Sequence, residues 1–133
     1  MNTLQKLINK YPNEPWDGRW LSSNPNITWE FVIEHPEIGW SHSELSHNPS
    51  ITWEIVYDHL YIQWNWTAVS KKPSVTMDIV LANLELPWDY GVLSSNSSIT
   101  RDDIQSNPII PWDWGRVSSN PNITWEFVQA NVD

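Results

Sequence analysis

Apolar positions along the chain fall into two kinds of short cluster, each bounded by polar, turn-forming residues. The first kind is typified by Thr124-Trp125-Glu126-Phe127-Val128-Gln129-Ala130-Asn131. Its Thr is a good helix N-cap, since the hydroxyl accepts a backbone N–H of the first turn. The carboxylate two residues on complements the positive end of the helix dipole. Apolar residues three apart, such as Trp29 and Val32, share one helix face. The segment closes on Asn or His, often followed by Pro, which are stop signals. This pattern predicts a helix of about two turns. The second kind begins at a capping residue just after a Trp: Asp17, Ser41, Asn65, Asp89 or Asp113. It predicts a shorter helix through Leu21 and Ser22 that stops at Asn24-Pro25. Asn tolerates the left-handed conformation at a helix end, and Pro cannot continue a helix.

The two clusters alternate with a fixed period. Trp recurs at positions 16, 40, 64, 88 and 112, a spacing of 24 each time, and an aliphatic-Thr pair keeps the same spacing at Ile27-Thr28, Ile51-Thr52, Val75-Thr76, Ile99-Thr100 and Ile123-Thr124. The copies run over 16–39, 40–63, 64–87, 88–111 and 112–133, with 1–15 reading as the second half of a preceding copy. Helices this short are marginal in water, where even good sequences need roughly 12–15 residues. They must be held by stacking on their neighbours, which is the logic of a solenoid. The expected architecture is therefore all-α: an α-solenoid of five 24-residue helix–turn–helix units plus an N-terminal half unit, forming one repeat domain over 1–133. Trp16, Trp40, Trp64, Trp88 and Trp112 are the expected buried spine, beside the column Leu21, Leu45, Val69, Leu93 and Val117. Ser22 and its counterparts read as small residues where helices approach closely. The competing architecture is a leucine-rich-repeat-like solenoid, whose period range includes this one. Its pattern wants an apolar residue two before the Leu, where the chain has Arg19, Ser43, Thr67, Gly91 and Gly115.

Asn24–Glu30, Asn120–Glu126 and Pro111–Trp114 carry the strings Asn-Pro-Asn-Ile-Thr-Trp-Glu and Pro-Trp-Asp-Trp. In these the chain resembles the short Trp-rich tandem repeats of giant DNA virus proteins, such as those of the mimivirus group. The resemblance covers nearly the whole chain and implies no known chemistry. The fourth copy departs most, with Ser97, Arg101 and Asp103 where other copies have Pro, Trp and Phe or Ile. A buried unpaired charge is expensive, so Arg101 is expected to be solvated or to pair with an acid such as Asp78, in the least stable interior copy. Alternatively, Arg101 and Asp103 mark a binding surface.

Charge removes some partners from consideration. With 7 basic and 16 acidic residues the formal net charge is −9. That argues against nucleic acid and against an anionic membrane surface, both of which demand a Lys/Arg face. The one basic pair, Lys71-Lys72, sits at a helix end, where a cation suits the dipole. No cysteine is present, so disulfides and thiolate chemistry are excluded. No apolar run approaches the roughly 20 residues of a membrane span. The N-terminus lacks the apolar centre of a secretory signal, so an intracellular location is expected, in host cytoplasm or virion if the chain is viral.

Candidate chemistry is sparse. His35 and His59 share a column with Asn83 and Asn107, and helix capping explains both residue types better than a metal pair. The column Glu30, Glu54, Asp78, Asp102 and Glu126 reads as first-turn carboxylates rather than an acid–base pair. No catalytic constellation, metal-ligand set or cofactor motif stands out, so no catalytic residue, metal or cofactor is expected. The expected function is a non-enzymatic scaffold mediating protein–protein interaction, with carbohydrate or small-ligand binding as the alternative. In either case the candidate surface is Trp20, Trp66, Tyr90 and Trp114 with Arg101 and Asp103, because aromatic faces anchor partners and stack on sugar rings. At the N-terminus, Gln5 and Lys6 replace Trp-Glu and read as a polar cap. The last copy keeps the interior pattern, so Trp125 and Phe127 are the expected self-association face, joining a homodimer or seating a protein partner.

Overall fold

Several capping residues act where the sequence places them, although Thr52 and Thr76 make no side-chain cap bond. In a computed structural model, which describes residues 1–131, the chain is all-helical, with no strand among the described residues. The helices are α1 (Thr3–Lys10), α2 (Gly18–Ser22), α3 (Trp29–Glu34), α4 (His42–Leu45), α5 (Trp53–Asp58), α6 (Trp66–Ser70), α7 (Met77–Ala82), α8 (Tyr90–Ser94), α9 (Arg101–Ser106), α10 (Trp114–Val117) and α11 (Trp125–Asn131). The Asp17 side chain caps α2 by accepting from the N–H of Arg19 and Trp20, and Thr28 caps α3 by accepting from Phe31. Among the described residues no helix is long and apolar enough to cross a membrane. The chain divides into two compact units, Met1–Asn65 and Trp66–Asp133.

Each unit is cored by aliphatic side chains. In the first, Ile27, Leu45, Ile51 and Val56 are fully buried; in the second, Val69, Val75, Val80, Leu93, Ile99 and Val117 are. The expected aromatic spine is only partly realised. Trp64, Trp88 and Trp112 are buried, but Trp16 and Trp40 stay partly exposed. For Trp40 the difference tracks its neighbours: it meets Phe31 edge-on at 6.3 Å, whereas Trp64 lies 6.0 Å from Trp29 and gains a further ring from the position 22 residues earlier. The Trp64 ring lies 6.4 Å from the imidazole of His42, and Trp88 lies edge-on to Trp66 at 5.3 Å. For Trp40 that position is Gly18, which has no side chain to offer. Gly18 is itself required, because a Cβ there would collide with the Gly39 carbonyl.

All five of these indoles share one bond. Each Nε1–H donates to a carbonyl five residues back: Trp16 to Tyr11, Trp40 to His35, Trp64 to His59, Trp88 to Asn83 and Trp112 to Asn107, at 2.8–2.9 Å. The acceptor ends the preceding helix, so each indole serves as a clasp on a helix terminus as well as an apolar body.

The buried polar side chains show what joins successive copies within each unit. In the first, the Asn48 Nδ2 group donates to the carbonyls of Ser22, Asn24 and Ile27 at 2.9, 2.9 and 3.1 Å. In the second, Asn120 repeats this on Ser94, Asn96 and Ile99, and Asn96 reaches Ser70 and Lys72. The Oδ1 atoms of Asn48, Asn96 and Asn120 accept from the N–H two residues on, each closing an Asx turn. The expectation that Asn serves as a left-handed helix stop is corrected: no described residue has positive φ. Asn is required for its carboxamide.

Serine acts in parallel. Ser22, Ser46, Ser70 and Ser94 are fully buried. Their Oγ atoms accept from the N–H of Ser41, Asn65, Asp89 and Asp113, each 19 residues on, at 2.8–3.0 Å. Ser46 and Ser94 also donate to the carbonyl four residues back. The small size expected of this column is therefore joined by a bonding role.

Two stability outcomes follow. Asn48→Ala strands three carbonyls, two of them in bonds that are fully buried, and should lower unfolding free energy by about 2–4 kcal/mol. A urea melt within about 0.5 kcal/mol of the parent would contradict this. Trp64→Ala should cost about 3–5 kcal/mol, and Trp40→Ala about half as much, because less of its ring is covered. Equal losses would remove the neighbour-coverage account.

Candidate functional site

The aromatic residues proposed from sequence as a surface differ in exposure. On α2, Trp20 is 78% exposed, beside the loose pair of Arg19 and Glu44, whose charged atoms stand 3.9 Å apart. At the start of α10, Trp114 is 38% exposed. Trp66 and Tyr90 are partly buried, and Trp66 spends a ring face covering Trp88. Two residues of their column lie against the indole column, His42 beside Trp64 and Trp66 beside Trp88.

The fourth copy also reads differently in three dimensions. Asp103 is the third residue of α9 and closes a capping box: its Oδ2 accepts from the Thr100 N–H at 2.8 Å, while Thr100 Oγ1 accepts from the Asp103 N–H. This is a structural role for a residue proposed as binding surface. Arg101 is exposed, and its guanidinium lies 5.3 Å from the Phe127 ring centroid. It meets an aromatic face instead of the suggested Asp78, an arrangement worth about 0.5–1 kcal/mol when solvated.

That contact bears on the C-terminal face. Trp125 is 68% exposed, but Phe127 is only 3% exposed. Phe127 therefore cannot serve as the exposed self-association residue expected from sequence. It stands in the column of Phe31, which is also buried. Val128, Val132 and Asp133 lie outside the residues whose side chains are described.

The N-terminal cap is corrected likewise. Gln5 is buried, and its Nε2 donates to the carbonyl of Asn26 at 2.9 Å. It binds the next copy in the way Asn48 does, and does not present a polar outer face. The histidines are helix caps by geometry: Nδ1 of His35 lies 2.9 Å from the Phe31 carbonyl and Nδ1 of His59 2.7 Å from that of Ile55. Asn83 and Asn107 make the same bond from the same column.

Lys72 was legible only as a cation at a helix end. It is 6% exposed and stands in the column of Asn24, Asn48, Asn96 and Asn120. Sequence comparison between copies shows the exchange, but the burial of that column was hidden while Asn was read as a turn residue. Comparison of the chain with protein-family models, with curated proteins and with solved structures finds no match.

Burial lowers the Lys72 ammonium from its ordinary 10.5 to about 8. Between those values the unfolded chain holds more protons than the folded one, so stability rises with pH across that window. Below about pH 8 both states are charged and the cost of burial is fully present. Lys72→Asn removes this component. Urea melts from pH 7 to 10.5 should show the variant's advantage over the parent shrinking as pH rises. A difference independent of pH would show that Lys72 carries no burial cost.

Proposed function

We propose that the chain is a non-enzymatic helical-repeat scaffold, an α-solenoid of stacked 24-residue helix pairs that holds a protein partner. The polar atoms of its repeated columns support this reading. Indole Nε1, Ser Oγ and Asn Nδ2 are spent on backbone groups of the chain itself. What is free for recognition stands in columns that differ from copy to copy. The observation that carries the reading is Trp20. Its ring is 78% exposed, and the same column holds Glu44, Ala68, Val92 and Arg116. A large, rigid ring held in water at one copy only contributes little to folding and suits an interaction hot spot, where Trp and Arg are enriched.

A photo-crosslinking amino acid at position 20, introduced into the intact chain in cells, should yield one discrete protein adduct. The same group at position 23 should not, and Trp20→Ala should prevent co-purification of the captured protein. Stacking on saccharide is the competing use of such a ring. A glycan array positive for the parent and negative for Trp20→Ala, with no protein adduct, would replace the scaffold reading.

A further inference from the structure

Within the first unit, a cavity of about 510 Å³ opens between the end of α1, the connector leading to Trp16, the end of α3 and the connector after it. Its volume falls in the usual range of small-ligand sites, roughly 300–1,000 Å³. Two aromatic groups form walls that are fixed in place. The Trp16 indole is tied to the Tyr11 carbonyl at 2.8 Å. The His35 ring is stacked on Phe31 at 3.9 Å, and its Nδ1 and Nε2 lie 2.9 and 2.8 Å from the Phe31 carbonyl and Asn9 Oδ1. Such walls need no ordering when a ligand enters.

The remaining polar lining is acidic: Glu14, Glu34 and Glu37, with no lysine or arginine among the lining residues. Glu14 is the informative one. Its column otherwise holds Ile38, Ile62 and Leu86, which are partly buried, and Ile110, which is buried, whereas Glu14 is exposed and lines the cavity. In this copy alone, the aliphatic residue of the column is replaced by a carboxylate, on the wall of the cavity. A second departure is Gly39, where other copies have Gln63, Pro87 and Pro111; a Cβ there would meet nothing within 4 Å. The acids do not converge as a metal-holding group, none of which occurs among the described residues. Spread carboxylates beside an aromatic face suit a larger, delocalised or stemmed cation.

We infer that this cavity binds an organic cation, a guanidinium or ammonium on an aliphatic stem, supplied by an arginine or lysine side chain of a partner protein. The source of the cation rests on the scaffold reading; the chemistry of the cavity does not. Calorimetric titration of the intact chain with Nα-acetyl-arginine amide should give saturable binding, weakened about tenfold or more for the neutral citrulline counterpart. Glu14→Ile restores the residue type of the sister copies and should abolish binding while preserving the helical circular dichroism and melting temperature. Glu37→Gln should weaken binding without affecting folding. Equal affinity for the citrulline compound, undiminished binding by Glu14→Ile, or no saturation by the arginine compound would overturn the proposal. Agmatine binding more tightly than arginine-containing peptides would assign the cavity to free amines and overturn the partner-side-chain source. A missing crosslink at position 20 with cation binding intact would instead count against the scaffold reading.

Discussion

Bonds from buried side-chain amides and hydroxyls to backbone groups 19 to 26 residues away hold each unit together. Helices of four to eight residues leave most of their carbonyls and N–H groups without an internal partner. In a long helix those orphans are a minor fraction; here they dominate. Asn48 and Asn120 take up three carbonyls each, and Ser22, Ser46, Ser70 and Ser94 accept the N–H at the start of the next short helix. Aliphatic burial supplies attraction, but it is non-directional. The carboxamides and hydroxyls fix the register at which one copy meets the next.

The aromatic residues are arranged around this polar core. Each indole of the 16, 40, 64, 88 and 112 column clasps the end of the previous helix through Nε1, and its burial depends on what its predecessor offers. His42 and Trp66 are such covers; Gly18 is not. Trp16 is a wall of the acidic cavity. Aromatic richness is therefore distributed among clasp, cover and free surface; among the described tryptophans Trp20 and Trp125 are mostly exposed, and so are Tyr57 and Tyr61.

Helix type, caps and period were legible because they depend on local chemistry: Asp17, Thr28 and Thr100 cap where their side chains can reach the first turn. The bonding of Asn48 was not, because Asn before Pro satisfies a turn rule on its own, and nothing local reveals that its amide points toward an earlier copy. Gln5 and Phe127 were misplaced for a related reason. Both were assigned to outer faces from their position near a terminus, whereas each keeps the inward orientation of its column. Asp103 looked like an intrusive charge in an apolar column and is a capping-box partner, a use that sequence spacing from Thr100 does permit. The cavity had a trace in the sequence, since Glu14 breaks an otherwise aliphatic column, but the space it faces is visible only in three dimensions.

The partners of the Asn and Ser bonds are main-chain groups, carbonyls that accept from Asn Nδ2 and N–H groups that donate to Ser Oγ, which every copy possesses whatever its side chains. Adjoining copies thus meet largely through the course of the main chain, and side-chain pairs such as His42–Trp64, Trp66–Trp88 and Arg101–Phe127 are added at particular junctions. A gene encoding such a chain can gain or lose a whole period by unequal recombination and still present each copy with a compatible neighbour. Surface residues outside such pairs can then diverge independently in each copy. Lys72 marks how far this tolerance extends: even a buried position of the ladder has accepted a cation, at an energetic cost that the surrounding main-chain bonds withstand.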